Sequence, residues 1–302
     1  MLTRRHLLHA AGMAACVPLL PTLAWGAELT QRPIPSSGER LPIIGLGTSQ
    51  TFNVSPADSA AMAPLHEVMS AFVGGGARLI DTAPSYGEAE AVSGALVHSA
   101  GLRERVFLAT KVSASGQQGG ARQIEASFKA LQTERIDLIQ VHNLVDTASH
   151  LATLRDYKAR GRIRYVGVTH YLESAHDRLL EVLETEPVDF VQFNYSVSER
   201  NAEKRLLPLC ADKGIAVLVN RAFDAGRLFA KVKGKSLPPW AEAELHASSW
   251  AQLMLKFVLA NPAVTAVIPA TSNPRYMVDN LQAGQGPLPD AAQRERIAQA
   301  FA

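Results

Sequence analysis

The stretch "RLIDTAPSYGEAE", residues 78–90, decides how the chain is read. Leu79 and Ile80 have the apolar character of a buried strand, yet the strand ends on a carboxylate, Asp81, and Tyr86 follows in a turn rich in Pro, Ser and Gly. Seven other short apolar or β-branched runs surround it: 43–49, 106–112, 136–143, 164–170, 189–196, 215–223 and 264–272. With "RLIDTA" (78–83) they make eight. Segments with amphipathic helical spacing, such as "SAAMAPLHEVMSAFVGGG" (59–76) and "ARQIEASFKALQTE" (121–134), lie between them. Near-continuous apolar strands alternating with helices point to a parallel sheet buried on both faces. Eight such units in about 240 residues predict an α/β fold, a closed (β/α)8 TIM barrel.

An open doubly wound sheet fits less well, because no Gly-x-Gly-x-x-Gly opens a helix; "GLGTSQ" (45–50) lacks the third glycine. A short N-terminal β-hairpin is expected in "PIPSSGERLPIIG" (33–45), turning at Ser37-Gly38. A long loop follows the seventh strand, at 224–247, and is a candidate lid.

The chain has 302 residues, 47% of them hydrophobic and 19% charged, which is ordinary globular composition. Its first 27 residues do not read as part of the fold. Arg4 and Arg5 precede an apolar run that closes on small residues, the pattern of an export signal cleaved near Gly26 or Ala27. "TRRHLL" (3–8) resembles a twin-arginine (Tat) signal, so the expected location is the periplasm and residues 28–302 are expected to form one domain. Pro18 and Pro21 break the run below the length of a membrane span. Removing this segment takes away two arginines and no acids, leaving 28 basic against 28 acidic residues. Such a neutral chain has no charge excess to draw nucleic acid or anionic lipid. Cys16 goes as well, so Cys210 stands alone and no internal disulfide can form. His98, His150, His176 and His246 show no metal-ligand spacing.

In a (β/α)8 barrel, reactive side chains sit where strands end and βα-loops begin. Those positions hold Asp81, Tyr86, Lys111 in "LATKV" and His142 in "LIQVHN". An ammonium beside a phenol favours the phenolate and so eases proton release. A carboxylate keeps the ammonium charged and fixed, and an imidazole can orient a substrate oxygen. Together the four suit a general acid aimed at a carbonyl oxygen while hydride reaches the carbon.

"GLGTS", "DTAPSYGEAE", "LATKV" and "VHN", in this order and spacing, resemble the aldo-keto reductase superfamily from about residue 33 to 282. The resemblance implies a tetrad of Asp81, Tyr86, Lys111 and His142, with a nicotinamide cofactor at the C-terminal mouth. It also implies cofactor contacts from Gly47, Thr48, Thr169, His170 and Gln192. Where many members stack a tyrosine on the nicotinamide ring, the seventh run places Asn220, and Arg221 is expected to reach the pyrophosphate. In "IPATSNPRYMVDN" (268–280), Ala270 and Tyr276 stand where a lysine and an arginine commonly clamp a 2′-phosphate. Thr271, Ser272 and Arg275 are the remaining phosphate candidates, and Asp279 and Asn280 match an adenine-contacting pair. The expected cofactor is NADPH, with NADH as the alternative, and the expected substrate is a small carbonyl compound. Phe52 and Trp240 are the candidate pocket walls, with packing of the loop onto the barrel rim an equal reading for Trp240. Two rival readings use the same residues: a nucleotide-binding sensor with little turnover, and a cofactor-free hydrolase or isomerase. The letters do not fix an oligomeric state.

Overall fold

The computed structural model describes residues 28–301, so the export signal read at 1–27 lies outside the described residues. Among the described residues there are ten strands: β1 (Gln31–Pro33), β2 (Arg40–Pro42), β3 (Leu46–Gly47), β4 (Leu79–Asp81), β5 (Phe107–Val112), β6 (Ile136–His142), β7 (Ile163–Thr169), β8 (Phe190–Asn194), β9 (Ala216–Asn220) and β10 (Val264–Val267). The helices are α1 (Ser59–Gly74), α2 (Ala89–Ser99), α3 (Gln117–Ala130), α4 (Thr147–Ala159), α5 (His176–Thr185) and α6 (Leu206–Lys213). They continue with α7 (Arg227–Lys231), α8 (Pro239–Leu245), α9 (Trp250–Leu259), α10 (Pro274–Gln282) and α11 (Ala291–Ala300).

Strands β3 to β10 pair in chain order, each parallel to the next. Parallel bridges Ile44↔Val267 and Gly47↔Ala270 join the two ends, and Val267 N–H donates to Ile43 O at 2.9 Å. The expected (β/α)8 barrel is therefore present, and each of the eight apolar runs supplies one strand. Closure explains why these strands carry little alternation: one face meets the barrel interior and the other the helices. Every residue of β6 is buried, for example.

Two apolar layers result. Inside, Leu79, Phe107, Leu138, Tyr165 and Phe190 fill the lower barrel, with Ile34 and Leu41 of the expected β1–β2 hairpin closing its base. Outside, helix faces such as Leu65, Met69 and Phe72 of α1 pack on the strands. Beneath the hairpin, Glu39 joins Arg164 and Arg78, and Arg164 also bonds Asp137 at 2.8 Å. The apolar filling gives way to polar side chains only at the opposite end, which is where the site forms.

The connection at 224–247 is not a bare lid. It carries α7 and α8, held down by buried Leu228, Ala241 and Leu245. Its first part borders the barrel mouth; its second packs on α11, where Arg296 bonds Glu244 at 2.9 Å. Among the described residues no helix is long and apolar enough to cross a membrane.

Candidate active site

Parallel register sets polar residues side by side near the C-terminal ends of the strands. Lys111 of β5 pairs with Gln140 of β6, His142 of β6 with Thr169 of β7, and Thr169 with Gln192 of β8. Asp81 ends β4, and Tyr86 follows in the loop to α2. Gly87, with φ +63, forms that turn, and Asn53 packs against it so closely that a Cβ would lie 2.1 Å from Asn53 Oδ1. The same oxygen accepts the Glu88 N–H at 3.0 Å, tying the β3 loop to the turn that presents Tyr86.

Lys111 and Asp81 are 1% and 2% exposed. Lys111 Nζ donates to Asp81 Oδ2 at 2.6 Å and to Thr82 O at 2.8 Å, and it lies 5.0 Å from the centre of the Tyr86 ring. Burial opposes the charge on Lys111, but the Asp81 carboxylate and Tyr86 outweigh it and hold its pKa above the usual lysine value. The Tyr86 and His142 rings stand nearly perpendicular, 6.0 Å apart. Burial, aided by the positive field of Lys111 and by His170, pushes His142 down to about 3, so its imidazole is neutral across the physiological range.

A network continues away from this group. Asp81 Oδ1 accepts from Gln192 Nε2 at 2.8 Å and from Gln140 Nε2 at 3.3 Å. Gln192 Oε1 in turn accepts from Thr169 Oγ1 and Asn220 Nδ2, both at 3.3 Å. Asp81, Tyr86, His142, Thr169, Gln192 and Asn220 face a cavity of about 740 Å³, walled further by Gln50, Ser85, Asn143, Tyr171, Phe223 and Phe229. Arg221, held at φ +53, places its guanidinium 4.4 Å from the centre of the Tyr171 ring at the mouth. The arrangement can hold a proton on a phenol beside a fixed cation, present a neutral imidazole, and bind an amide-bearing group deep in the cavity.

Residues 43–300 match the model of the Aldo/keto reductase family. The chain belongs to that family. It is 30% identical over 181 residues to aldo-keto reductase YhdN of Bacillus subtilis (strain 168), covering 55% of this chain and 54% of the relative. It is 29% identical over 196 residues to the NADH-specific methylglyoxal reductase of Escherichia coli (strain K12), covering 56% and 59%. The chain thus spans little more than half the length of these relatives. A crystal structure of an aldo-keto reductase from Klebsiella pneumoniae in complex with NADPH superposes with a TM-score of 0.77 at 25% identity, over 90% of this chain and 96% of that one.

Of the residues expected to contact the family's cofactor, Gly47, Thr48, Thr169, Gln192, Asn220 and Arg221 border the cavity. Asn220 Oδ1 is buried there without a hydrogen-bond partner among the described residues, and so is Asn143 Oδ1. Such orphaned acceptors suit the N–H groups of a carboxamide, so the site fits a nicotinamide. His170 stands just outside, accepting the Leu172 N–H on Nδ1 and stacking on Tyr171. Thr271 accepts the Asn273 N–H at 3.0 Å within its own loop, while Ser272 and Arg275 are exposed near the start of α10. Asp279 is engaged by Ser249 at 2.7 Å and Gln252 at 2.6 Å, and Asn280 is buried.

Two expected pocket walls are corrected. Phe52 is fully buried in the outer core, because the turn that bonds its N–H to Thr48 O points the ring away from the mouth. Trp240 lies on α8 beneath the Arg296 guanidinium, 4.3 Å from it, and does not line the cavity. The walls are instead Tyr171, Phe223 and Phe229, together with Gln50, Ser85 and Asn143. Gln140 was also missed, although it precedes His142 by two residues in the same strand and so shares its face.

Proposed function

We propose that the protein reduces small aldehydes or ketones to alcohols with NADPH, NADH being the alternative, after export to the periplasm. The observation that carries the reading is Lys111, buried beside Asp81 and Tyr86, both of which line the cavity. When bound, the nicotinamide nucleotide supplies a hydride to the carbonyl carbon. Tyr86 gives its proton to the carbonyl oxygen, and the Lys111 ammonium stabilises the phenolate that remains. Asp81 keeps Lys111 charged and in place. The neutral His142 hydrogen-bonds the carbonyl oxygen and sets its approach to Tyr86.

Thr169, Gln192 and Asn220 would hold the carboxamide, with His170 at their edge; Gly47, Thr48 and Arg221 would border the rest of the nucleotide. Thr271, Ser272 and Arg275 would meet a 2′-phosphate, and Asp279 and Asn280 the adenine. The NADPH in the Klebsiella pneumoniae structure supports that preference, while the E. coli relative named as NADH-specific supports the alternative. That relative's name also supports methylglyoxal as the first substrate to try. Polar Gln50 and Asn143 beside Phe223 and Phe229 suit a small carbonyl compound with a short apolar part.

Titration of the purified protein with NADPH and NADH, followed through the nucleotide's own fluorescence, tests the cofactor. Trp240 and Trp250 lie away from the cavity and are poor reporters. Saturable binding with methylglyoxal-dependent nucleotide oxidation is expected. Binding without turnover of any carbonyl would favour the sensor reading, and no binding would reject both. The twin-arginine pattern supports the periplasmic assignment; fractionation of cells carrying the full chain, with and without Arg4→Lys and Arg5→Lys, tests it.

A further inference from the structure

Gln140 is an amide flanked by the apolar Leu138, Ile139 and Val141 of β6, and it is fully buried. It neither carries the transferred proton nor lines the cavity. Its Nε2 reaches Asp81 Oδ1 at 3.3 Å, whereas its Oε1 has no hydrogen-bond partner among the described residues. A buried amide with one half unsatisfied is costly, so a packing role alone would be better served by an apolar side chain. The surroundings are shaped to admit it. In register beside Gln140 lies Gly167 of β7, and a Cβ there would come within 3.0 Å of Gln140 Cγ and 2.8 Å of Phe190 O.

We propose that Gln140 is a positioning residue for proton transfer. With Gln192 it pins Oδ1 of Asp81 from two strands, leaving Oδ2 aimed at Lys111. Asp81 has only one torsion beyond its Cβ, so fixing one oxygen fixes the other, and with it the ammonium next to Tyr86. Gln192 does this while also bonding Thr169 and Asn220 on the nucleotide side; Gln140 touches only the acid side. The two amides therefore differ in what their loss disturbs. The titratable groups around Asp81 and its partner Lys111 are His142 on β6, Tyr86 in the loop after β4 and the buried Glu90 of α2, which feels the Lys111 charge.

The inference rests on the reductase reading for its kinetic consequences and on Tyr86 alone for its spectroscopic one. Gln140→Met, close in volume and unable to donate, is expected to lower kcat about tenfold, with KM and the nucleotide Kd within about twofold of the parent. Gln140→Glu is expected to retain kcat at low pH, where the new carboxyl group is protonated and can still donate to Asp81, and to lose it as that group ionises. In the nucleotide-free protein, near-ultraviolet phenolate absorbance, with Tyr86→Phe as the blank, is expected to show the phenol ionising at higher pH in Gln140→Glu than in the parent. A Met variant with parental kcat, or one that loses nucleotide affinity in step with kcat, would overturn the proposal. So would an unshifted phenol titration in the Glu variant. If the parent reduces no carbonyl, the reductase reading fails, and the phenol titration still decides the role of Gln140.

Discussion

Lys111 and Asp81 meet at 2.6 Å in a site that admits almost no water, so each is the other's condition for being charged there. Water is replaced by Thr82 O on the lysine and by the amides of Gln140 and Gln192 on the carboxylate. A buried charge stripped of its partner has no such compensation. Lys111→Met is therefore expected to cost about 3–5 kcal/mol in urea unfolding, because it strands Asp81. Adding Asp81→Asn to that variant is expected to recover part of the loss, and strict additivity in the double-mutant cycle would mean that the two charges do not support each other.

His142 carries the clearest pH signature. Its folded pKa of about 3 lies below the ordinary 6.5, so on acidification the unfolded chain takes up this proton first. Its contribution therefore weakens the fold as pH falls from 6.5 towards 3, and changes no further below that. His142→Asn is expected to flatten this part of the stability profile measured by thermal unfolding. Across neutral pH the imidazole stays neutral, so kcat is expected to show no inflection from it. A kinetic step near 6.5 that disappears in His142→Asn would show the ring to be titrating in the site.

Lys256 of α9 gives a second signature, remote from the cavity. Fully buried, it donates to Gln285 O at 2.6 Å and Pro287 O at 3.0 Å, and no carboxylate within the described residues pairs with it. Burial lowers its pKa from 10.5 to about 8. Between those values the unfolded chain still holds the proton that the folded one has released, so rising pH favours the fold over this interval. The stability of the parent relative to Lys256→Met is expected to increase as pH is raised from about 8 to 10.5, as read by denaturant unfolding at several pH values. A constant difference between the two proteins would assign Lys256 no titration in this range.

The barrel was legible because its strands are buried on both faces. Their sequences are largely apolar runs, and the titratable residues at or near the C-terminal ends of three of them, Asp81, Lys111 and His142, stand out against that background. Gln140 and Phe52 show where the reading stops. Gln140 lies inside a run rather than at its end, and only the register with Lys111 and Gly167 reveals that it reaches Asp81. Phe52 lies in a mouth loop, and the direction of its ring depends on the turn at Thr48. The segment at 224–247 depends in the same way on α11: Trp240 became a packing residue because Arg296 and Glu244 bring the two helices together. Loop positions of this kind are set by distant contacts that local spacing does not encode.

The most direct measurement compares the parent with Tyr86→Phe in nucleotide binding and in single-turnover oxidation of bound NADPH by methylglyoxal. Removing one hydroxyl at the edge of a preformed cavity leaves Thr169, Gln192 and Asn220, the residues proposed to hold the nucleotide, in place, so Kd is expected to stay within about twofold. Losing the proton donor is expected to slow the chemical step by roughly 10²–10⁴-fold. A Phe variant that oxidises the nucleotide at the parental rate would contradict the assignment of Tyr86 as the acid, and with it the role given to Lys111 and Asp81.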